Sequence, residues 1–333
     1  MPTDQKTEGP DKEAQEQDKK KKHRHRQWGS AILGVLFGLG GLLAGRLGHL
    51  YVDFDVFAQF GAQFSAITIG FALGCILPRY RAIAGFAIAA ALIAGYSAWP
   101  HYVSRDLAKG PFTPEPGEQV VRVAHFNTHA TNHDNDAVAA EILRLDADVM
   151  TLIEFEPERI PVLAKIAARY PHTYACQDVP HCNFAIVSKV PLETASGKGM
   201  WAGPPLIKAT LGGALKGLTV YGVHTIRFPH SRAQLKQYQN LVHELAGESG
   251  NLLVMGDFNA TPFSRLPSLV EQGTGLTRVT SLPSWSATYG LPQLAIDHIF
   301  IGASLRVLAK EQVGNAAGSD HYPIVMTLAF KPQ

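Results

Sequence analysis

The apolar positions of this chain follow two regimes, with the change near residue 100. Before it come three long apolar stretches: 28–48 (WGSAILGVLFGLGGLLAGRLG), 56–77 (VFAQFGAQFSAITIGFALGCIL) and 81–100. A helix needs roughly 20 apolar residues to cross the hydrocarbon core of a bilayer, and each stretch is about that long. The glycines and alanines in GVLFGLGGLLAG and GFAIAAALIAG suit close helix–helix contact in lipid. Arg46 stands near an end, where its side chain reaches the interface. The pattern predicts three transmembrane helices within 28–100. A cleaved signal peptide is the alternative for the first stretch, and buried soluble helices the alternative for all three. The long apolar core of the first stretch and the two that follow it weigh against both.

From residue 120 the apolar runs shorten and alternate with amphipathic stretches. VVRVAHFN reads as a strand, DAVAAEILRLD as a helix by its spacing, and DVMTLIE as a strand. PERIPVLAKIAARY reads as a helix with Pro157 at its start, where a missing N–H does no harm. Strands are expected at 173–176, 184–188, 206–211, 218–224, 252–256, 296–301, 305–313 and 323–330. Helices are expected at 231–247 and 263–271. Strands broken by helices predict an α/β domain of stacked layers over 120–333.

Charge adds orientation. KKKKHRHR precedes the first apolar stretch, acids (Asp53, Asp55) follow it, and PRYR follows the second. The positive-inside rule puts 1–27 in the cytoplasm as a disordered basic tail, and residue 101 onward outside it. KGPFTPEPGEQ, within 101–119, reads as a linker. From 101 onward there are 19 Lys+Arg against 20 Asp+Glu. A sequence-independent nucleic-acid binder carries a basic face on its binding domain, and this balance weighs against one. Of the three cysteines, Cys75 reads as packing inside an apolar stretch. Cys176 and Cys182, in CQDVPHC, are free thiols in a cytosolic protein and a local bridge in an oxidising compartment; the orientation above favours the bridge.

The strand ends carry the candidate chemistry. VAHFN closes on Asn127, VMTLIE on Glu154, TVYGVH on His224 and LLVMGDFN on Asp257 and Asn259, while LAIDHIF holds Asp297 and GSDHYPIV opens with Asp320 and His321. A lone Asn or Asp after a strand is most often a turn former, and a lone His most often a satisfied one. Glu154 resists that reading, because a carboxylate after a largely apolar run is costly to bury unpaired. Asp257 and Asn259 share a strand face if the chain stays extended. Six such ends do not fit independent turns.

GDFNATP, IDHIF and GSDHYPIV, with FN and IE in that order, resemble the endonuclease/exonuclease/phosphatase (DNase I-like) superfamily over about 120–330. That resemblance implies a four-layer α/β sandwich, two mixed sheets flanked by helices, preceded here by the helical transmembrane region. It implies a hydrolase of phosphodiesters or phosphomonoesters using Mg²⁺, with Mn²⁺ as an alternative. Glu154 would be the main metal ligand, with Asn127 and Asp320 near the metal. Asp257 would handle the proton of water or leaving group, Asn259 would position it or the phosphate, His321 held by Asp297 would contact phosphate, and His224 would donate to phosphate oxygen. Two features depart from the pattern. Ala295 stands where nucleases of the group often have arginine, and THATNHD puts His129 and His133 four apart, more suited to a loop than to a helical zinc pair. The expected protein is a multi-pass membrane enzyme acting outside the cytoplasm on nucleic acid or on a phospholipid or sphingomyelin headgroup. A non-catalytic binding module on the same fold is the alternative from a different class.

Overall fold

The computed structural model describes residues 10–74, 81–102, 113–200, 203–289 and 293–332. Cys75, most of PRYR and residues 103–112 of the expected linker lie outside them. The chain divides into two compact units. One comprises Met1–Ala44 with Phe60–Ser97, the other Gly45–Gln59 with Ala98–Gln333.

The first unit is helical. Its elements are α1 (Pro10–Arg46), α3 (Gly61–Gly74) and α4 (Arg81–Tyr102), of which α1 and α4 run past the unit's bounds; α2 (Asp55–Ala58) belongs to the second unit. Small residues close this unit, with Ala31, Val35, Ala72, Ala84 and Ala87 at its centre. A side chain on Gly38 would meet the Thr68 hydroxyl at 2.2 Å. Helix begins at Pro10, inside the stretch expected to be a disordered tail. Lys, Glu and Gln are good helix formers, and Glu16–Lys20 and Asp18–Lys22 pair one turn apart.

Among the described residues one helix is long and apolar enough to cross a membrane, Ala14–Arg46, with a mean hydropathy of 1.7. The second expected span is bent by 61° between Val52–Ala58 and Gly61–Gly74, and the apolar part of the third is the shorter Arg81–Ile93. Three full spans are therefore not what the helices give by length and composition. The bend falls just after Asp55 and Gln59, which belong to the second unit and bond to its Arg265 and Thr261.

The second unit is built on β1 (Gln119–Asn127), β2 (Val149–Ile153), β3 (His172–Ala175), β4 (Phe184–Ser188), β5 (Leu192–Lys198), β6 (Leu206–Leu211), β7 (Leu218–His224), β8 (Asn251–Asp257), β9 (Thr277–Arg278), β10 (Asp297–Ile301), β11 (Leu305–Val313) and β12 (Ile324–Phe330). They form two six-stranded sheets, ordered β11-β12-β1-β2-β4-β3 and β5-β6-β7-β8-β10-β9. Both are mixed: β1 runs parallel to β2 and β7 to β8, and the other pairs are antiparallel. Their inner faces meet through Val123, Val149 and Ile186 from one sheet and Ile207, Leu253 and Ile299 from the other. Helices α5 (Asn135–Leu145) and α6 (Ile160–Ile166) cover the outside of the first sheet through Ile142 and Val162. Helices α7 (Ser231–Ala246) and α8 (Arg265–Thr274) cover the second through Leu241 and Val270. The result is an α/β sandwich of four layers.

Two strands were not expected. β5 reads LETASGK, too polar to signal burial, because it is an edge strand with one face in water. β9 is two residues long. The helix expected over 157–170 is a 3₁₀ turn followed by the shorter α6. Cys176 and Cys182 form a disulfide. It packs on Gly197 of β5, where a side chain would meet the Cys176 Cβ at 2.4 Å.

Candidate active site

Strand register assembles the site. Asn127 ends β1 opposite Ile153 of the parallel β2, so Glu154 emerges one residue beyond it. In the other sheet His224 pairs with Asp257, and Asp257 pairs with Asp297. The turn before β12, beside β1, supplies Asp320 and His321. Glu154, His224, Asp257, Asn259, Asp320 and His321 line a cleft of about 550 Å³. Asn127 and Asp297 stand behind them as hydrogen-bond partners.

The amide of Asn127 joins the two sheets. Its Nδ2 donates to Glu154 Oε1 at 3.0 Å and to Asp257 Oδ2 at 3.2 Å. Its Oδ1 accepts the His129 N–H at 3.0 Å. Glu154 takes a second N–H, from Ala130, on Oε2 at 2.7 Å. His224 Nε2 lies 3.8 Å from Glu154 Oε1 and 3.7 Å from Asp257 Oδ2, poised between the two acids. His321 shares Asp257 and adds Asp297: Nδ1 is 2.8 Å from Asp297 Oδ2, and Nε2 is 3.6 Å from Asp257 Oδ2.

Asp257 and Asn259 do not share a strand face. The strand stops at Asp257, and Asn259 has φ +47°, in the left-handed region that Asn tolerates better than most residues. Asp257 Oδ1 accepts the Asn259 N–H at 2.8 Å, an Asx turn. The Asn259 side chain donates to Thr225 O at 3.0 Å. Asn259 therefore locks the turn while its neighbour faces the cleft.

Proton affinities diverge across the site. Burial raises the Asp257 carboxyl well above the carboxylate range, and the adjacent Asp297 charge adds to it. Burial also pushes Asp297 up, but His321 and His125 overcome it and hold it far below that range. Burial lowers His321, yet Asp297 and Asp257 outweigh it and raise it to about 10. Burial raises Glu154 too; His224 and the two N–H donors reverse the sign, and its carboxyl is lowered. His224 is lowered by burial.

Several neighbours escaped the sequence reading. Buried His125 Nε2 donates to Asp297 Oδ1 at 3.1 Å, and Ser284 donates to Asp297 Oδ2 at 2.5 Å. His125 stands two before Asn127 on the same strand, a period-two signal that could have flagged it. Trp285 Nε1 donates to Asp320 Oδ2 at 3.0 Å, and no local pattern announces it. His129 sits in a loop with φ +60° and places Nδ1 3.0 Å from Asp320 Oδ1 and 3.9 Å from Glu154 Oε2. The His129–His133 spacing is thus a loop feature, and His129 belongs to the cleft.

Two groups could hold a cation. Ligand atoms of Asp257, Asp297 and His321 lie within 4.8 Å of one another. Both Asp297 oxygens, however, are already taken by His125, His321 and Ser284. Asp320 Oδ1 is buried with no hydrogen-bond partner beyond the ion-pair contact to His129 Nδ1 at 3.0 Å, and that nitrogen lies 3.9 Å from Glu154 Oε2. A buried carboxylate oxygen and a second carboxylate gathered on one histidine fit a hard divalent ion.

A family model described as the endonuclease/exonuclease/phosphatase family matches residues 123–321. Among curated proteins none matches the chain. Solved structures share the fold. An endonuclease/exonuclease/phosphatase from Beutenbergia cavernae aligns at 19% identity over 64% of this chain and 72% of its own, with a TM-score of 0.52. A family protein from Bacteroides thetaiotaomicron aligns at 14% over 64% and 96%, with a TM-score of 0.52. D. rerio TDP2, solved with a single-strand DNA product, aligns at 16% over 63% and 99%, also at 0.52.

Proposed function

Since the chain belongs to the endonuclease/exonuclease/phosphatase family, we propose that it is a divalent-metal-dependent hydrolase of phosphate esters, with Mg²⁺ or Mn²⁺ as the ion. The observation that carries this reading is the Asp297–His321 pair set against Asp257, with Asn127 and Glu154 across one cleft. Glu154 and Asp320 would hold the cation, with Asn127 orienting Glu154 through its amide. A bound divalent ion supplies positive charge that offsets the phosphate's and polarises it.

The residues divide the remaining work. His321, raised to about 10, is protonated at neutral pH and donates to a phosphate oxygen from Nε2. Asp297 fixes its tautomer through Nδ1 and stabilises its charge. Asp257 binds a proton more readily than an ordinary acid, which suits exchange with the attacking water or the leaving oxygen. His224, whose proton affinity burial lowers, donates to phosphate. Asn259 fixes the turn that aims Asp257.

A lipid headgroup fits the site better than a polynucleotide. Met200, Phe228, Trp285 and Ile296 line the cleft, and the chain from 101 onward carries 19 basic against 20 acidic residues. The apolar α1 is either a membrane anchor or a signal sequence. We read α1 as the membrane anchor, with 1–27 inside and the enzyme outside; the Cys176–Cys182 bridge suits that oxidising side. A panel of plasmid DNA, RNA, sphingomyelin and glycerophospholipids, with Mg²⁺ and with chelator, tests the reading. Cation-dependent release from a lipid headgroup is expected. Cleavage of DNA alone would make the protein a nuclease, and no hydrolysis of any member would leave a binding module.

A further inference from the structure

The segment Gly45–Gln59 lies in the chain between the apolar helices α1 and α3, yet it folds with the second unit. Its contacts there are polar, buried and aimed at one place. Asp55 is 1% exposed, and Arg265, the first residue of α8, grips both its oxygens at 2.9–3.1 Å. Gly48 makes room for that carboxylate, since a Cβ there would sit 1.9 Å from Asp55 Oδ1. Gln59 is also 1% exposed. Its Oε1 accepts the Thr261 N–H at 2.7 Å, and its backbone oxygen accepts the Thr261 hydroxyl at 3.2 Å.

Thr261 is two residues past Asn259, in the loop that follows Asp257. The opposite flank of this loop is held from α7. Gln234 Nε2 donates to Asn259 O and the Tyr238 hydroxyl to Phe258 O, each at 2.7 Å. Arg232, in the first turn of α7, pairs with Asp53 of the same segment and lies over the Tyr51 ring. The segment therefore grips the starts of both helices that bracket residues 258–264. Asn259 keeps its left-handed φ inside that bracket. The Asx turn to Asp257 sets that conformation, and the bonds to Gln234 and Thr225 hold it in place. A mere spacer between two helices has no reason to bury a carboxylate and an amide and bond them to a loop and to the start of the helix that follows it.

We propose that Gly45–Gln59 is a positioning strap for the active-site turn, with Gln59 and Asp55 acting through Thr261 and Arg265 to hold Asp257 and Asn259 in working geometry. This rests on reading the site as a phosphoesterase.

The test uses the full chain in detergent micelles with the best substrate of the panel. Gln59→Leu removes the acceptor for Thr261 N–H, Gln59→Glu keeps it, and Asp55→Asn weakens the Arg265 grip. In Gln59→Leu, kcat should fall about tenfold or more with KM changed less than about twofold, because reacting groups are misplaced rather than substrate lost. Amide exchange across 258–264 should quicken about tenfold while β1 and β2 stay protected. Gln59→Glu should recover most of the kcat. If Gln59→Leu does not fold, Asp55→Asn gives the same two readouts. Unchanged exchange across 258–264, or unchanged kcat despite faster exchange, overturns the strap. A wild-type chain without phosphoesterase activity overturns the functional reading instead, and amide exchange still decides whether the strap holds the loop.

Discussion

Glu154 ends β2 in the first sheet, Asp257 ends β8 in the second, and one amide, that of Asn127, donates to both. Their environments treat the two acids oppositely. The Glu154 side chain is 24% exposed, takes two N–H donors and faces His224, and its proton affinity is lowered despite burial. The Asp257 side chain is 2% exposed and feels the charge of Asp297 in the paired strand, and its affinity is raised. Residue type does not divide the labour here. Solvent access and the nearest charge do, lowering one carboxyl and raising the other, which is what the proposed cation-holding and proton-exchanging roles require.

That contrast can be broken experimentally. The largest expected effect is on the ligand side: Glu154→Gln should cut kcat/KM about 10³-fold or more, since it removes a charge placed to hold the cation. Isothermal calorimetry with Mn²⁺ should show binding weakened in step; undiminished binding and turnover would remove Glu154 from the role. On the proton side, Asp297→Asn should lower kcat about 10²–10³-fold by leaving His321 in the wrong tautomer and without its counter-charge. Its signature is a pH–rate profile whose basic limb moves to lower pH, because Asp297 is the leading cause of the raised His321 affinity.

A third test asks whether burial or sheet membership sets the sign. Glu311 lies on β11 of the first sheet, yet burial raises it to about 7 from 4.5, as it raises Asp257. Its Oε2 accepts the N–H groups of Ser281 and Leu282, and its Oε1 has no partner. Between pH 4.5 and about 7 the native chain binds this proton and the unfolded chain does not, so stability falls as pH rises through that window. Glu311→Gln should therefore stabilise the protein at pH 8 by up to about 3 kcal/mol and confer no gain at pH 4.5, read by urea unfolding. The smallest effect concerns the join of the sheets. Replacing Cys176 and Cys182 by Ala should cost about 2 kcal/mol for so short a loop and leave kcat unchanged.

Much of this arrangement is written locally. LLVMGD is legible as a buried strand because it is continuously apolar, and Asp257 as its terminus because an acid follows. The order of FN, IE, GDFN and SDH is legible for the same reason, one strand end at a time. β5 was illegible because an edge strand can be polar, and the helix from Pro10 because its described side chains over 14–23 are exposed and it forms by propensity and charge pairing. His129 was visible as a residue and invisible as a neighbour of Asp320, 191 positions away in the chain.

The sequence by itself determined the alternation of elements, the apolar amino-terminal region and which side chains end the strands, because each is set by neighbours within a few residues. Only the tertiary structure decided that Asp257 and Asn259 part company at a turn, that Asp297 serves His321 and His125 together, and that Asp55 and Gln59 reach Arg265 and Thr261. It decided the proton affinities as well. Those depend on burial and on charges brought together from distant segments, and neither exists until the two sheets have closed on each other.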